Sequence, residues 1–257
     1  MTGLVGLITG SGAHEWPGLE ERRVVAVATA FGAVELTEGS IAGVEVVHLS
    51  RHGSGHARLS NHINHHANLR ALLDRGVDRL LSLTVCGSLD PAVPPGSVVV
   101  PEDLYFPSNR LPDGRLCTWY SEPSVPGRGH WVPDDVFSRP LQRALVDAAA
   151  EASIGVAGGC YGHVDGPRFN TRAEHAALAA AGVTVVSQTA GPEVVLAGEA
   201  ELPMALLCFV TNGVAPEPDD RLMERVAASR EVLAAVVRGA LPHLGEPQPT
   251  GVVHRFD

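Results

Sequence analysis

The chain has 257 residues, a formal net charge of −10, a sequence pI of about 5.6 and a mean hydropathy of +0.10. With 45% apolar residues it can build the core of one large α/β domain, and disorder is excluded. The acidic balance argues against nucleic acid as a partner, and no apolar run reaches the roughly 18 residues of a membrane span.

In chain order, Leu4–Ile8 reads as a buried strand entering the turn Thr9-Gly10-Ser11-Gly12. Val44–Leu49 is a second strand, leading to Ser50-Arg51-His52-Gly53. Asn64–Leu73 has helical character, and Arg79–Val85 is a third strand before Cys86-Gly87-Ser88. Ser97–Val100 is a short strand after Pro94-Pro95-Gly96. Residues 106–134 form the longest irregular stretch, rich in Pro, Gly, Ser and Arg, of the kind that often carries function. Pro140–Ala152 reads as a helix with Pro in its first turn, and Ile154–Val164 as a glycine-broken strand. Thr171–Ala181 is an alanine-rich helix. Val183–Val186 and Leu202–Val210 are strands on either side of a helix over Glu193–Glu201, and Asp219–Leu241 is a long amphipathic helix. Residues 245–257 look like a loose tail, so the expected domain spans residues 1–244. Strands alternating with helices predict a largely parallel or mixed sheet covered on both faces. Ligands of such sheets bind outside the carboxyl ends of strands, where Ser11, Arg51, His52, Thr84, Thr211 and Asn212 fall.

The opening Met1-Thr2-Gly3-Leu4 lacks the basic region of a signal peptide. Cys86, Cys117, Cys160 and Cys208 are far apart, so reduced thiols in a cytoplasmic protein are expected. An oxyanion site is the leading chemical reading. Gly10-Ser11-Gly12 offers backbone N–H groups and a hydroxyl, Arg51 a fork of donors, and His52 stands beside it. The spacing is not G-x-G-x-x-G, which disfavours a dinucleotide site. His48, His52, His56, His62, His65 and His66 crowd one window, and His62 with His66 could share a helix face and a metal, yet no H-E-x-x-H occurs. No G-x-S-x-G elbow occurs either, and Cys86 reads as a small buried residue rather than a nucleophile.

Five blocks then point one way. They are Ser50–His56 with Asn64–Leu72, Thr84–Leu89, Pro95–Val99, Asp165–Glu174 and Gln188–Ala197. In this order they resemble the purine nucleoside phosphorylase / methylthioadenosine phosphorylase family across about residues 4–240. The resemblance implies a mixed central β-sheet flanked by helices in a single domain, usually assembled as a homotrimer. It implies phosphorolysis at C1′ of a purine nucleoside, with inorganic phosphate as co-substrate and no metal or organic cofactor. It implies that Ser11, Arg51, His52, Thr84 and Thr189 hold phosphate over the Val85 backbone. Phe169 would pack on the base, and His130 would reach a neighbouring subunit's 5′ pocket.

The departures concern specificity. Where the adenine-preferring branch has Asp-Tyr-Asp, this chain has Thr211-Asn212-Gly213-Val214, similar to the 6-oxopurine branch. A carboxamide can accept from purine N7–H and donate to O6, whereas an ionised carboxylate cannot donate. Asn170 stands where the 6-oxopurine enzymes have Glu and can take N1–H only without charge. Gln188 replaces a methionine under the ribose and is expected to reach a sugar hydroxyl. Leu222 and Met223 fall where the methylthio branch lines its 5′ pocket. The favoured substrate is inosine or 5′-methylthioinosine, with Asn212, Asn170 and His52 as catalytic candidates. The alternatives are methylthioadenosine phosphorolysis, a water-using nucleosidase, or a nucleoside sensor without chemistry.

Overall fold

Alternate residues of one strand show how the sheet is buried. Leu206, Cys208 and Val210 join one core cluster, while Ala205, Leu207 and Phe209 join the other. Both faces are therefore dry, as expected of a parallel sheet with helices on either side. The computed structural model describes residues 3–11, 16–213 and 219–256. Gly12 and Val214, both named above, lie outside them.

The strands are β1 (Val5–Thr9), β2 (Glu20–Thr29), β3 (Gly32–Ile41), β4 (Val44–Ser50), β5 (Arg79–Ser88), β6 (Val98–Val99) and β7 (Asp103–Tyr105). After them come β8 (Gly129–Pro133), β9 (Val156–Ala157), β10 (Cys160–His163), β11 (Val183–Ser187), β12 (Met204–Asn212) and β13 (Gly251–Arg255). The helices are α1 (His65–Asp74), α2 (Arg139–Glu151), α3 (Arg172–Ala180), α4 (Gly191–Glu199) and α5 (Asp219–Ala240). The main sheet runs β2-β3-β4-β1-β5-β11-β10-β7, and β12 joins β5 to β6 and β9. The helices α1 and α4 cover one face of the sheet, and α2 and α5 the other. This is the mixed central sheet, flanked by helices, that the sequence implied.

The sheet divides at β5. Its first part lies parallel between β1 and β12, while Gly87 and Ser88 pair antiparallel with β11. That divergence leaves room beside Thr84–Gly87.

Two expectations change. The hairpin β2–β3 was not legible, because β2 is exposed on both faces at its start and lacks an in/out alternation there. The segment expected as a loose tail instead folds back, and β13 pairs antiparallel with β8 from Gly251↔Pro133 to Arg255↔Gly129. Both strands of this ribbon are mostly exposed, so neither announces its partner.

Candidate active site

The parallel strands β1, β4, β5 and β12 end at one side of the molecule. A cavity of about 730 Å³ opens there. Its wall brings together Ser11, His52, Thr84, Val85 and Thr189 with Phe169, Asn170, Gln188, Thr211, Asn212, Leu222 and Met223. Residues from both halves of the sequence thus share one space, as strand-end placement predicted.

One end of the cavity is built of hydroxyls. Thr84 Oγ1 lies 3.3 Å from Thr189 Oγ1 and 3.1 Å from Ser187 Oγ, and donates to the Val85 carbonyl at 3.0 Å. His52 adds an imidazole of defined tautomer. Its Nδ1 is 2.7 Å from the Arg58 carbonyl, which can only accept, so Nδ1 carries the proton and Nε2 keeps a lone pair. Burial, then the nearby Arg51 charge, lowers the His52 pKa to about 4 against the pull of the Arg58 carbonyl, and the ring is neutral at pH 7. His56 stacks on it with ring centroids 4.0 Å apart.

Arg51 is placed differently from expectation. It is buried behind this wall rather than on it. Nε and Nη2 grip Glu193 in a two-pronged ion pair at 2.6 and 2.9 Å. Nη2 also donates to Ser82 Oγ at 2.9 Å, and Nη1 to the Leu83 carbonyl at 3.1 Å. Four of five guanidinium donors are committed, leaving one on Nη1, which a Cβ at Gly10 would approach to 3.0 Å. The physical cause is Glu193, a fully buried carboxylate that needs a cation. Its own burial would raise its pKa, but Arg51 outweighs that and holds it below the usual carboxylate range. Arg51 is moved upward by Glu193 against its own burial. His65 lies 3.7 Å from Glu193, and burial lowers its pKa to about 4.

The other end of the cavity is presented by a loop and a helix. Thr171 and Glu174 form a reciprocal cap that starts α3, and Arg168 pairs with Glu174 at 2.6 Å. This fixes the segment from which Phe169, 73% exposed, and Asn170 reach the cavity. Asn212 lines the same cavity from β12, its Oδ1 3.1 Å from Thr211 Oγ1. A Cβ at Gly87 would come within 3.0 Å of Asn212 Nδ2, so the glycine makes space for the carboxamide. Gln188 lines the cavity but has part of its amide engaged within the protein. Its Oε1 accepts from Ser60 at 3.0 Å and its Nε2 donates to the Arg168 carbonyl at 2.9 Å. Leu222 and Met223 line the cavity and belong to neither main core cluster. His130 lies outside this cavity, exposed on β8 with its ring edge against Phe256.

A model of the phosphorylase superfamily matches residues 4–242. This chain belongs to the phosphorylase superfamily. It is 35% identical over 215 residues to an S-methyl-5′-thioadenosine phosphorylase of Geobacter sulfurreducens, covering 82% of this chain and 73% of that protein. It is 30% identical to the 6-oxopurine nucleoside phosphorylase of Pyrococcus furiosus, covering 96% and 95%. Among solved structures it is similar to methylthioadenosine phosphorylase from Schistosoma mansoni in complex with adenine. The TM-score there is 0.84 at 30% identity, over 94% of this chain and 91% of that one.

As a phosphorylase-superfamily member the chain also shows what sequence reading missed. Glu193, inside a recognised block, was taken only as the start of a helix. Ser187, His175 and Arg230 line the cavity and were not singled out, and His56 was named only among the crowded histidines. The spacing Leu222, Val226, Arg230 was the available signal, since i, i+4 and i+8 share one helix face. His66 Nε2 is 2.8 Å from the Thr118 carbonyl, and no group of three or more possible metal ligands occurs among the described residues.

Proposed function

We propose that the chain cleaves the N-glycosidic bond of a purine nucleoside with inorganic phosphate, releasing free base and pentose 1-phosphate. The observation that carries this is one cavity whose wall joins a hydroxyl cluster with two carboxamides, Asn170 and Asn212, and with Phe169. Ser11, Thr84 and Thr189 hold the phosphate with the Val85 backbone, and Arg51 contributes its remaining Nη1–H from behind. His52, neutral with a lone pair on Nε2, accepts from the O–H of hydrogen phosphate. Phosphate then attacks C1′ as the bond to N9 breaks, with the two reactants held in line and their charges met by fixed dipoles.

The base is a 6-oxopurine, as in inosine or 5′-methylthioinosine, because Asn212 can both accept from N7–H and donate to O6. Phe169 packs on the ring and Asn170 takes N1–H. Thr211 orients Asn212, Gln188 braces the loop under the sugar, and Leu222 and Met223 accept an apolar 5′ group. The favoured assembly is a cytoplasmic homotrimer in which the exposed His130 enters the 5′ pocket of the next subunit. Methylthioadenosine is the second reading, favoured by the names of several relatives and by this apolar pair. A water-using nucleosidase is disfavoured, since no carboxylate lines the cavity among the described residues.

Base release from inosine, 5′-methylthioinosine, adenosine and methylthioadenosine, with and without phosphate, tests this. Phosphate-dependent release from the two oxopurine nucleosides is expected. Release from methylthioadenosine alone overturns the assignment of the base, and release without phosphate overturns phosphorolysis.

A further inference from the structure

Among the described residues that line the cavity, Arg230 carries the one permanent charge, and no carboxylate faces it there. The helix α5 is pinned against the end of β12, because Arg225 Nη1 donates to the Thr211 carbonyl at 3.0 Å. One turn further on, Val226 and Ala227 and then Arg230 present themselves to the cavity. Arg230 Nε is buried without a hydrogen-bond partner. The two buried described arginines, Arg51 and Arg79, both have Nε engaged, on Glu193 and on Asp78. An unmet guanidinium donor inside a protein is costly, and such a group in a cleft points to a ligand.

We propose that Arg230 is a catalytic residue that grips the oxygen of a departing 6-oxopurine and stabilises the negative charge on it. This rests on the phosphorolysis reading and deepens it. As the phosphate oxygen bonds to C1′, the electron pair of the C1′–N9 bond passes to the purine and spreads over its ring to O6. The proton of hydrogen phosphate ends on the base by way of solvent, so the reaction balances. Asn170 and Asn212 can read N1–H, N7 and O6 but carry no charge. Arg230 supplies the missing cation and, being a donor only, meets an oxygen acceptor well and an exocyclic amino group badly. The class of substrate is thus narrowed to nucleosides whose base carries an oxygen on its six-membered ring.

The test compares the wild type with Arg230→Gln and Arg230→Lys. Arg230→Gln should lower kcat for inosine roughly 10- to 100-fold, the range for a lost hydrogen bond to a charged group. The KM for phosphate should hold, and hypoxanthine affinity measured by calorimetry should fall alongside kcat. Arg230→Lys should recover part of the loss. Thermal stability should not fall, since no partner within the protein is lost. Equal losses on inosine and adenosine, a rise confined to the phosphate KM, or unchanged hypoxanthine affinity overturns the role of Arg230. Oxopurine-selective turnover that survives in Arg230→Gln sinks this inference alone. Release from adenine nucleosides only sinks the oxopurine reading and this inference together. If no nucleoside turns over, hypoxanthine affinity still decides: weaker binding in Arg230→Gln supports the contact, and equal binding ends it.

Discussion

The two ends of the cavity differ in how their polar groups are used. At the strand ends of β1, β4, β5 and β11 the Arg51 charge and the His52 ring proton are already matched. Arg51 is spent on Glu193, Ser82 and Leu83, and His52 Nδ1 on Arg58. On the α5 wall, Arg230 Nε has no partner and Met223 stands 64% exposed. At the matched end an anion meets dipoles rather than net charge, because the Arg51–Glu193 pair is neutral as a unit. The unmatched end has capacity left for a ligand. Stability should therefore depend on the first region and substrate choice on the second.

The largest expected break in that contrast is Arg51→Ala. It leaves the Glu193 carboxylate buried alone and should cost about 3–5 kcal/mol in a urea titration. The double variant Arg51→Met/Glu193→Leu should cost much less than the two single changes summed, and strict additivity would show that the pair is not a unit. Acidification tests the same end. A buried His65 with a pKa of about 4, against 6.5 in the unfolded chain, makes the unfolded state bind more protons below pH 6.5. Stability is then unaffected by this group above pH 6.5 and falls as pH drops towards 4, by about 3 kcal/mol for His65. His52 acts in the same direction. Glu193, with its lowered pKa, adds a further loss as pH falls below the ordinary carboxylate range. A flat melting temperature between pH 7 and pH 4.5 would count against neutral buried imidazoles.

The ligand end is sharpened by smaller changes. Gly87→Ala should push Asn212 aside and lower kcat/KM for inosine about tenfold, with folding little changed. Equal activity would remove Asn212 from base recognition. Gln188→Met should have the least effect, about 1 kcal/mol in stability from its bonds to Ser60 and the Arg168 carbonyl, and only a few-fold rise in nucleoside KM. A large loss of kcat with unchanged stability would return Gln188 to the sugar.

Much of the architecture was readable along the chain. The strands Val5–Thr9, Arg79–Ser88 and Met204–Asn212 are apolar runs long enough to be buried on both faces, and the helices carry clear caps or stops. The hairpin β2–β3 and the ribbon β8–β13 escaped because their stability comes from pairing, which is not local. The cavity wall was legible for Ser11, His52, Thr84, Thr189, Phe169 and Asn212, since motif blocks place them at strand ends.

By itself, the order of residues determined the family, the alternation of strands and helices, and the inventory of donors and acceptors available to a nucleoside and phosphate. Only the tertiary structure decided how those donors are allocated. Glu193 is 142 positions from Arg51, and Gln188 is 128 from Ser60, yet each claims its partner. A hydrogen bond, once made inside the protein, is no longer available to a ligand. Which groups are spent and which remain free, as Arg230 Nε does, follows from contacts that no local pattern encodes.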